Sequence, residues 1–180
     1  MSKSALLVID LQNEYLPTGK LPLFNIEQAT ANALKVITKA RQEGTQVIHV
    51  QHVAAPESPI FEPSSTGIEF QDSVKPHPDE TIVIKNNINA FLQTSLKEIL
   101  DRSEITELVV IGAMSHMCID AAVRSAADFG YKVKVIHDAC ATLALEFNGV
   151  QVPAAHAHAT IMAAFEFACA QVISTEDYVS

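Results

Sequence analysis

The chain lacks the features that mark most specialised protein classes. No run of roughly 18 or more apolar residues occurs, which argues against a membrane-spanning helix. Basic residues are in deficit, with 12 Lys and Arg against 21 Asp and Glu and a formal net charge of −9. That disfavours general nucleic-acid binding and docking on anionic membrane surfaces, since both need a basic footprint. Glycine and proline are few, at 6 and 8. There is no internal repeat and no low-complexity tract, which excludes collagen-like and disordered chains. The three cysteines (Cys118, Cys140, Cys169) are odd in number and widely spaced, in a chain long enough to need no staples. The expectation is a reduced, cytoplasmic protein. The opening Met-Ser-Lys-Ser leads into an apolar stretch without a charged-then-apolar signal segment, which fits the same expectation.

What is present is ample core material. Hydrophobic residues make up 48% of 180, and the length fits one domain over 1–180. Apolar runs alternate with helical patterns throughout. Strands are predicted at Ala5–Asp10, Thr45–Gln51, Glu80–Lys85, Glu107–Gly112, Lys132–Asp138 and Gln171–Ser174. Helices are predicted at Ile26–Glu43, Phe91–Arg102, Cys118–Phe129 and Pro153–Ala170. Ala54 to Asp79, rich in Pro and Ser, reads as a long loop of the kind that is usually functional or mobile. β-branched strands alternating with helices predict an α/β fold. It is a three-layer α/β/α, Rossmann-like arrangement around a six-stranded, mainly parallel sheet covered on both faces. Right-handed crossovers then bring all strand C-termini to one edge, where ligands bind at the switch point of strand order.

Three residues stand out at that edge. Asp10 ends the first strand, Lys85 ends the third, and Cys118 opens the helix after the fourth. A thiol attacks as thiolate, and a helix N-terminus with a nearby cation lowers its pKa. Lys85 can supply the cation, and Asp10 can take the thiol proton and return it to a leaving group. Backbone N–H groups of the turn before Cys118 can hold an oxyanion. Taken singly, such residues are more often structural than catalytic; it is their shared edge that counts.

The residues Val8-Ile9-Asp10 with Gln12, Val83-Ile84-Lys85 followed by Asn89-Ala90-Phe91, and Val110, Gly112 and Cys118 resemble the isochorismatase-like cysteine hydrolases, which include the nicotinamidases. Ala121-Ala122, Ala126, Gly130-Tyr131 and Asp138-Ala139 extend the resemblance over about residues 5–174. It implies a catalytic triad of Asp10, Lys85 and Cys118. It also implies a cis peptide between Ala113 and Met114, and an oxyanion hole from the N–H groups of Met114 and Cys118. The implied chemistry is hydrolysis of amide, imide or ureido C–N bonds through a thioester. A homodimer or homotetramer is implied as well, with Asn148–Val152 and the apolar helix after it as the candidate interface.

Two departures from the family pattern matter. Many nicotinamidases hold a metal through Asp-x-His after the second strand, but here the stretch reads His49-Val50-Gln51-His52. Strand side chains alternate, so His49 and His52 point opposite ways, and neither a metal nor another cofactor is expected. Ser115 stands where many relatives carry Thr.

The substrate pocket is expected to draw on Gln12, Tyr15, Phe24, His52, Phe61, Phe91, His116 and Met117, an apolar wall with a few polar anchors. Cys118 and Arg124 satisfy the C-x5-R spacing of cysteine phosphatases. The helical, glycine-free stretch between them and Asp120 argue against a phosphate cradle, leaving Arg124 as a structural partner. Cys140 and Cys169 are expected to be buried and inert. Two alternatives stay open. One is an enol-ether hydrolase of an isochorismate-like dicarboxylate, for which the edge has few cations. The other is a retired enzyme serving as a binding protein.

Overall fold

The alternating pattern closes into a sheet with helices on both sides. In the computed structural model, which describes residues 3–180, the elements follow in this order: β1 (Ser4–Ile9), α1 (Ile26–Gln42), β2 (Gln46–His52), β3 (Thr81–Lys85), α2 (Leu96–Arg102), β4 (Glu107–Ala113), α3 (Asp120–Asp128), β5 (Lys132–Ala141), β6 (Leu145–Phe147), β7 (Val150–Val152), α4 (Ala154–Ala168), β8 (Gln171–Ile173) and α5 (Thr175–Val179). Met1 and Ser2, part of the opening stretch read for a signal segment, lie outside the described residues.

Six strands pair in the order β3-β2-β1-β4-β5-β8, every pair parallel. The order reverses direction between β1 and β4, so the crevice beyond their C-termini is the switch point. Period-two alternation divides β1 between two cores. Ala5, Leu7 and Ile9 pack toward α2, α3 and α4 with Leu100, Val123 and Phe165. Leu6 and Val8 pack toward α1 with Ala33, Val36 and Ile37.

One close approach shapes the switch point. Gly112 has φ +128°, and a Cβ there would stand 1.9 Å from the Ile9 carbonyl oxygen. Only glycine lets β4 pass β1 at this distance. The β4–β5 register shifts at the same place, between Val110 and Gly112.

Several boundaries differ from the sequence-based expectation. The second helix begins at Leu96 rather than Phe91, because Gln93 has φ +56° and breaks the periodic stretch. The third begins earlier, in a π-helical turn over Ser115–Ile119 that runs into α3. β5 continues to Ala141. Coverage of the sheet is incomplete at the β3 edge, where Ile82 and Ile84 are exposed. The sequence reading missed the β6–β7 hairpin and α5. Asn148-Gly149, both with positive φ, signals the hairpin, and a Ser174–Asp177 capping box signals α5.

The long 54–79 segment is tied down at several points. Phe61 N–H donates to Glu14 Oε1 at 2.8 Å, and the Gln12 and Gln51 amides both donate to the Ile68 carbonyl at 2.8 Å. Thr30 Oγ1 donates to Gln71 Oε1 at 2.6 Å. These bonds join Phe61, Ile68 and Gln71 of the segment to the residues after β1, to β2 and to α1, beside the strand ends.

Candidate active site

Asp10 is the first residue after β1. Its backbone takes a left-handed φ of +53° while its N–H still donates to the Val50 carbonyl at 3.0 Å. This turn delivers the carboxylate to the crevice. Lys85 is the last residue of β3, where burial alternates along the strand, and it is fully buried. Cys118 lies in the turn after β4 and is 6% exposed. The Met114 carbonyl holds that turn by accepting from the Met117 and Ile119 N–H groups at 3.0 and 3.2 Å. The Ala113–Met114 peptide is cis.

The three side chains converge. Lys85 Nζ stands 2.8 Å from Asp10 Oδ2 and 3.2 Å from Cys118 Sγ. It is also 3.1 Å from His52 Nδ1 and 3.2 Å from the Asn87 carbonyl oxygen. The Asp10 contact is an ion pair outside hydrogen-bond alignment. Both carboxylate oxygens are buried and accept no hydrogen bond from the described residues.

Burial raises the Asp10 pKa, and the Lys85 ammonium opposes it only in part. Burial works against the Lys85 charge too, but Asp10 and Cys118 outweigh it and hold Lys85 above the usual lysine range. The Cys118 thiol is pushed up to about 12 by burial and by the Asp10 charge, with Lys85 opposing. This corrects the sequence-based expectation of a lowered thiol pKa. In the resting centre the proton sits on the Cys118 sulfur, beside Asp10.

The expected pocket residues fall into three groups. His52 touches the centre. Phe61 meets the His52 ring edge-on at 5.1 Å, and Tyr15 meets Phe61 likewise at 5.1 Å. His116 and Phe24 flank the turn: His116 Nδ1 lies 2.5 Å from Thr142 Oγ1, and Phe24 N–H donates to the Thr142 carbonyl at 2.9 Å. Phe24 is exposed and lines a cavity of about 300 Å³ together with Asn25, His137 and His158. Met117 is half-buried against the core.

Two residues sit elsewhere. Gln12 spends its amide on the His52 and Ile68 carbonyls and on the His52 N–H, all at 2.8 Å, so it is a buried tie with no free polar end. Phe91 turns toward Phe129 and Tyr131, ahead of the β5 start and therefore away from the strand C-termini. The sequence reading did not find the Asn87 carbonyl, which carries no residue-type signal. Nor did it find Glu14, a buried acid that accepts from the Phe61 N–H and follows the polar pair Gln12-Asn13, with no signal of its burial in the chain.

The remaining candidates are structural. His49 is buried with Nε2 3.0 Å from Glu80 Oε2, far from His52's partners. Among the described residues, no three His, Cys, Asp or Glu side chains cluster as a metal ion requires. Arg124 pairs with Asp120 at 2.8 Å along α3. Cys140 is buried with its thiol pushed up to about 12, whereas Cys169 is only half-buried. No helix among the described residues is long and apolar enough to cross a membrane.

A parallel sheet with an acid, a lysine and a cysteine at its switch point is the frame of an α/β hydrolytic enzyme. The chain belongs to the isochorismatase family: the isochorismatase domain model matches residues 4–177. It is 45% identical over 177 residues to the isochorismatase family protein YddQ of Bacillus subtilis, covering 98% of each chain. It is 26% identical over 180 residues to the ureidoacrylate amidohydrolase RutB of Rhizobium rhizogenes, covering 81% of this chain and 73% of that one. A crystal structure of an isochorismatase hydrolase from Oleispira antarctica superimposes with a TM-score of 0.96 at 46% identity, over 99% of this chain and 96% of that one.

Proposed function

We propose that residues 1–180 form one hydrolase domain that cleaves a small amide, imide or ureido substrate through a Cys118 thioester. The observation that carries this reading is the convergence of three buried groups. Lys85 Nζ touches both Asp10 Oδ2 and Cys118 Sγ inside a centre that is almost closed to solvent. Burying an ion pair is costly, and a merely structural site gains little by it. This weighs against a retired binding protein. The amidohydrolase relative supports C–N chemistry.

The steps balance in this scheme. Asp10 takes the Cys118 proton as sulfur bonds to the substrate carbonyl carbon. The Met114 and Cys118 N–H groups hold the oxyanion. The C–N bond breaks as Asp10 returns the proton to the departing nitrogen. Water then attacks the thioester, giving one proton to Asp10, which passes it to the leaving sulfur. Lys85 remains an ammonium throughout, fixing the two acids and balancing whichever is charged. Tyr15, Phe61 and His116 bound the substrate side. The exposed Phe147, Val150 and Phe167, on the β6–β7 hairpin and α4, support self-association through that face.

The test is turnover of nicotinamide, N-carbamoyl amino acids, ureido compounds, biuret and isochorismate with a chelator present, beside Cys118→Ala. One C–N substrate should survive chelation and lose at least about 10³-fold in the variant. Near-normal turnover by Cys118→Ala would remove the thioester route. Turnover of isochorismate alone, insensitive to the variant, would establish enol-ether hydrolysis instead.

A further inference from the structure

Lys85 has more neighbours than hydrogens. An ammonium carries three N–H donors and no acceptor. Four acceptors surround Nζ: His52 Nδ1 at 3.1 Å, the Asn87 carbonyl at 3.2 Å, Cys118 Sγ at 3.2 Å and Asp10 Oδ2 at 2.8 Å. The first three lie in hydrogen-bond alignment. The nearest, Asp10, does not, and neither of its oxygens accepts a hydrogen bond from any described residue. Four acceptors thus share three hydrogens, and Asp10, outside the line of the three aligned bonds, receives the ammonium's charge with the smallest share of its hydrogens.

We propose that His52 is a positioning residue that withholds one Lys85 N–H from Asp10, leaving both carboxylate oxygens open to the Cys118 proton. Without an acceptor at Nδ1, that hydrogen turns to Oδ2, already 2.8 Å away. A charge-assisted bond there stabilises the carboxylate and weakens it as a base.

The fold holds His52 for this role. It is the last residue of β2, in register with Lys85 across the strand pair. Gln12 accepts from its backbone N–H and donates to its carbonyl, both at 2.8 Å, and the Phe61 ring stands edge-on at 5.1 Å. Burial and the Lys85 charge bring the imidazole pKa down to about 4, so the ring is neutral at pH 7. An ammonium has only donors, and facing it at 3.1 Å selects the tautomer with Nδ1 unprotonated. The other titratable groups facing this centre are Asp10, Cys118 and the buried Tyr15. The inference rests on the Asp10–Lys85–Cys118 reading and adds a fourth side chain to it.

The experiment follows iodoacetamide alkylation of Cys118 against pH, which needs no substrate, in a background where Cys140 and Cys169 are Ser. His52→Phe keeps the ring against Phe61 and removes the acceptor. It should lower the plateau rate about ten-fold and move the acid limb about one pH unit down, as for a weaker base. His52→Asn returns an acceptor near Nδ1 and should restore both. An unchanged limb in His52→Phe, or a loss that His52→Asn does not recover in a variant that melts like the parent, would overturn the role. Asp10→Asn separates the two readings. If it leaves the parental profile unchanged, the triad itself fails, whatever His52 does.

Discussion

Two carboxylates stand beside cations in this molecule, Asp10 fully buried and Glu80 half-buried, and their surroundings are opposite. Glu80 is saturated with donors. Arg41 donates from Nε to Oε1 at 2.7 Å and from Nη2 to Oε2 at 2.8 Å, the His77 N–H donates at 2.8 Å, and His49 Nε2 lies at 3.0 Å. Burial alone would raise its pKa, but these partners bring it down to about 2. Asp10 has one cation at 2.8 Å and no aligned donor, and burial pushes its pKa up. The first acid is locked as an anion, so it ties β3 to α1. The second is short of partners, the condition that suits it to take a proton in the proposed mechanism.

Exchanging each acid for its amide tests the contrast most strongly. Asp10→Asn should cut kcat/KM on the panel substrate by about 10²–10⁴-fold, the span of a lost general acid–base. Glu80→Gln should leave kcat/KM unchanged and cost about 2 kcal/mol of stability, the scale of hydrogen bonds to a charge. In a chain of this size that lowers Tm by about 5 °C. A Glu80→Gln enzyme with full stability and lost turnover would erase the distinction between the two acids.

The next effect isolates the backbone that presents Asp10. Gly112→Ala drives a Cβ into the Ile9 carbonyl, one residue before Asp10, and no flexible side chain can yield there. The expected cost is more than about 3 kcal/mol, read as a loss of soluble protein or a sharply lowered urea midpoint. At Gly44 the same added Cβ meets nothing within 4 Å. Gly44→Ala, strained only by its φ of +69°, should lose less. Equal losses at the two positions would mean that the close approach of β1 and β4 is not what the corner at Asp10 depends on.

Legibility in the sequence also divides along these lines. The strands were readable because each is a short β-branched run bounded by turn residues. Asp10, Lys85 and Cys118 were readable as edge residues because parallel topology sends every strand end to one side. What could not be read depends on side-chain direction after packing. Gln12 and Phe91 occupy edge positions in the chain, yet one is consumed by backbone groups of His52 and Ile68 and the other turns toward α3's far end. The sign of the Cys118 shift was equally hidden. A helix N-terminus and a lysine are visible as residue types, but the burial that overrides them arises only when distant segments close over the sulfur. Glu80 carried no sequence signal for its partners, since Arg41 lies 39 residues away.

The smallest predicted effect concerns His49, whose Nε2 joins the Glu80 cluster while its buried Nδ1 has no hydrogen-bond partner among the described residues. Burial lowers its pKa from 6.5 to about 4, against the opposing pull of Glu80. Between those values the unfolded chain binds a proton that the folded chain refuses. Stability from this group is therefore complete above pH 6.5 and falls as pH drops toward 4, with a slope of at most about 1.4 kcal/mol per pH unit. Glu80 acts in the same direction lower down: its contribution is present above pH 4.5 and is lost as pH falls toward about 2. Asp10 has the opposite sign, because a raised carboxyl pKa favours the folded state at low pH and loses that contribution as pH climbs through its folded value. Urea unfolding from pH 4 to 7 should thus show a rising stability that flattens above 6.5. His52, lowered to about 4 as well, adds a rise of the same sign over the same window, so His49→Phe should remove about half of the rise between 4.5 and 6.5 and leave the pH dependence of Cys118 alkylation untouched. If the rise is undiminished in that variant, the acid sensitivity comes from other groups, and the Glu80 cluster is held by Arg41 and Glu80 alone.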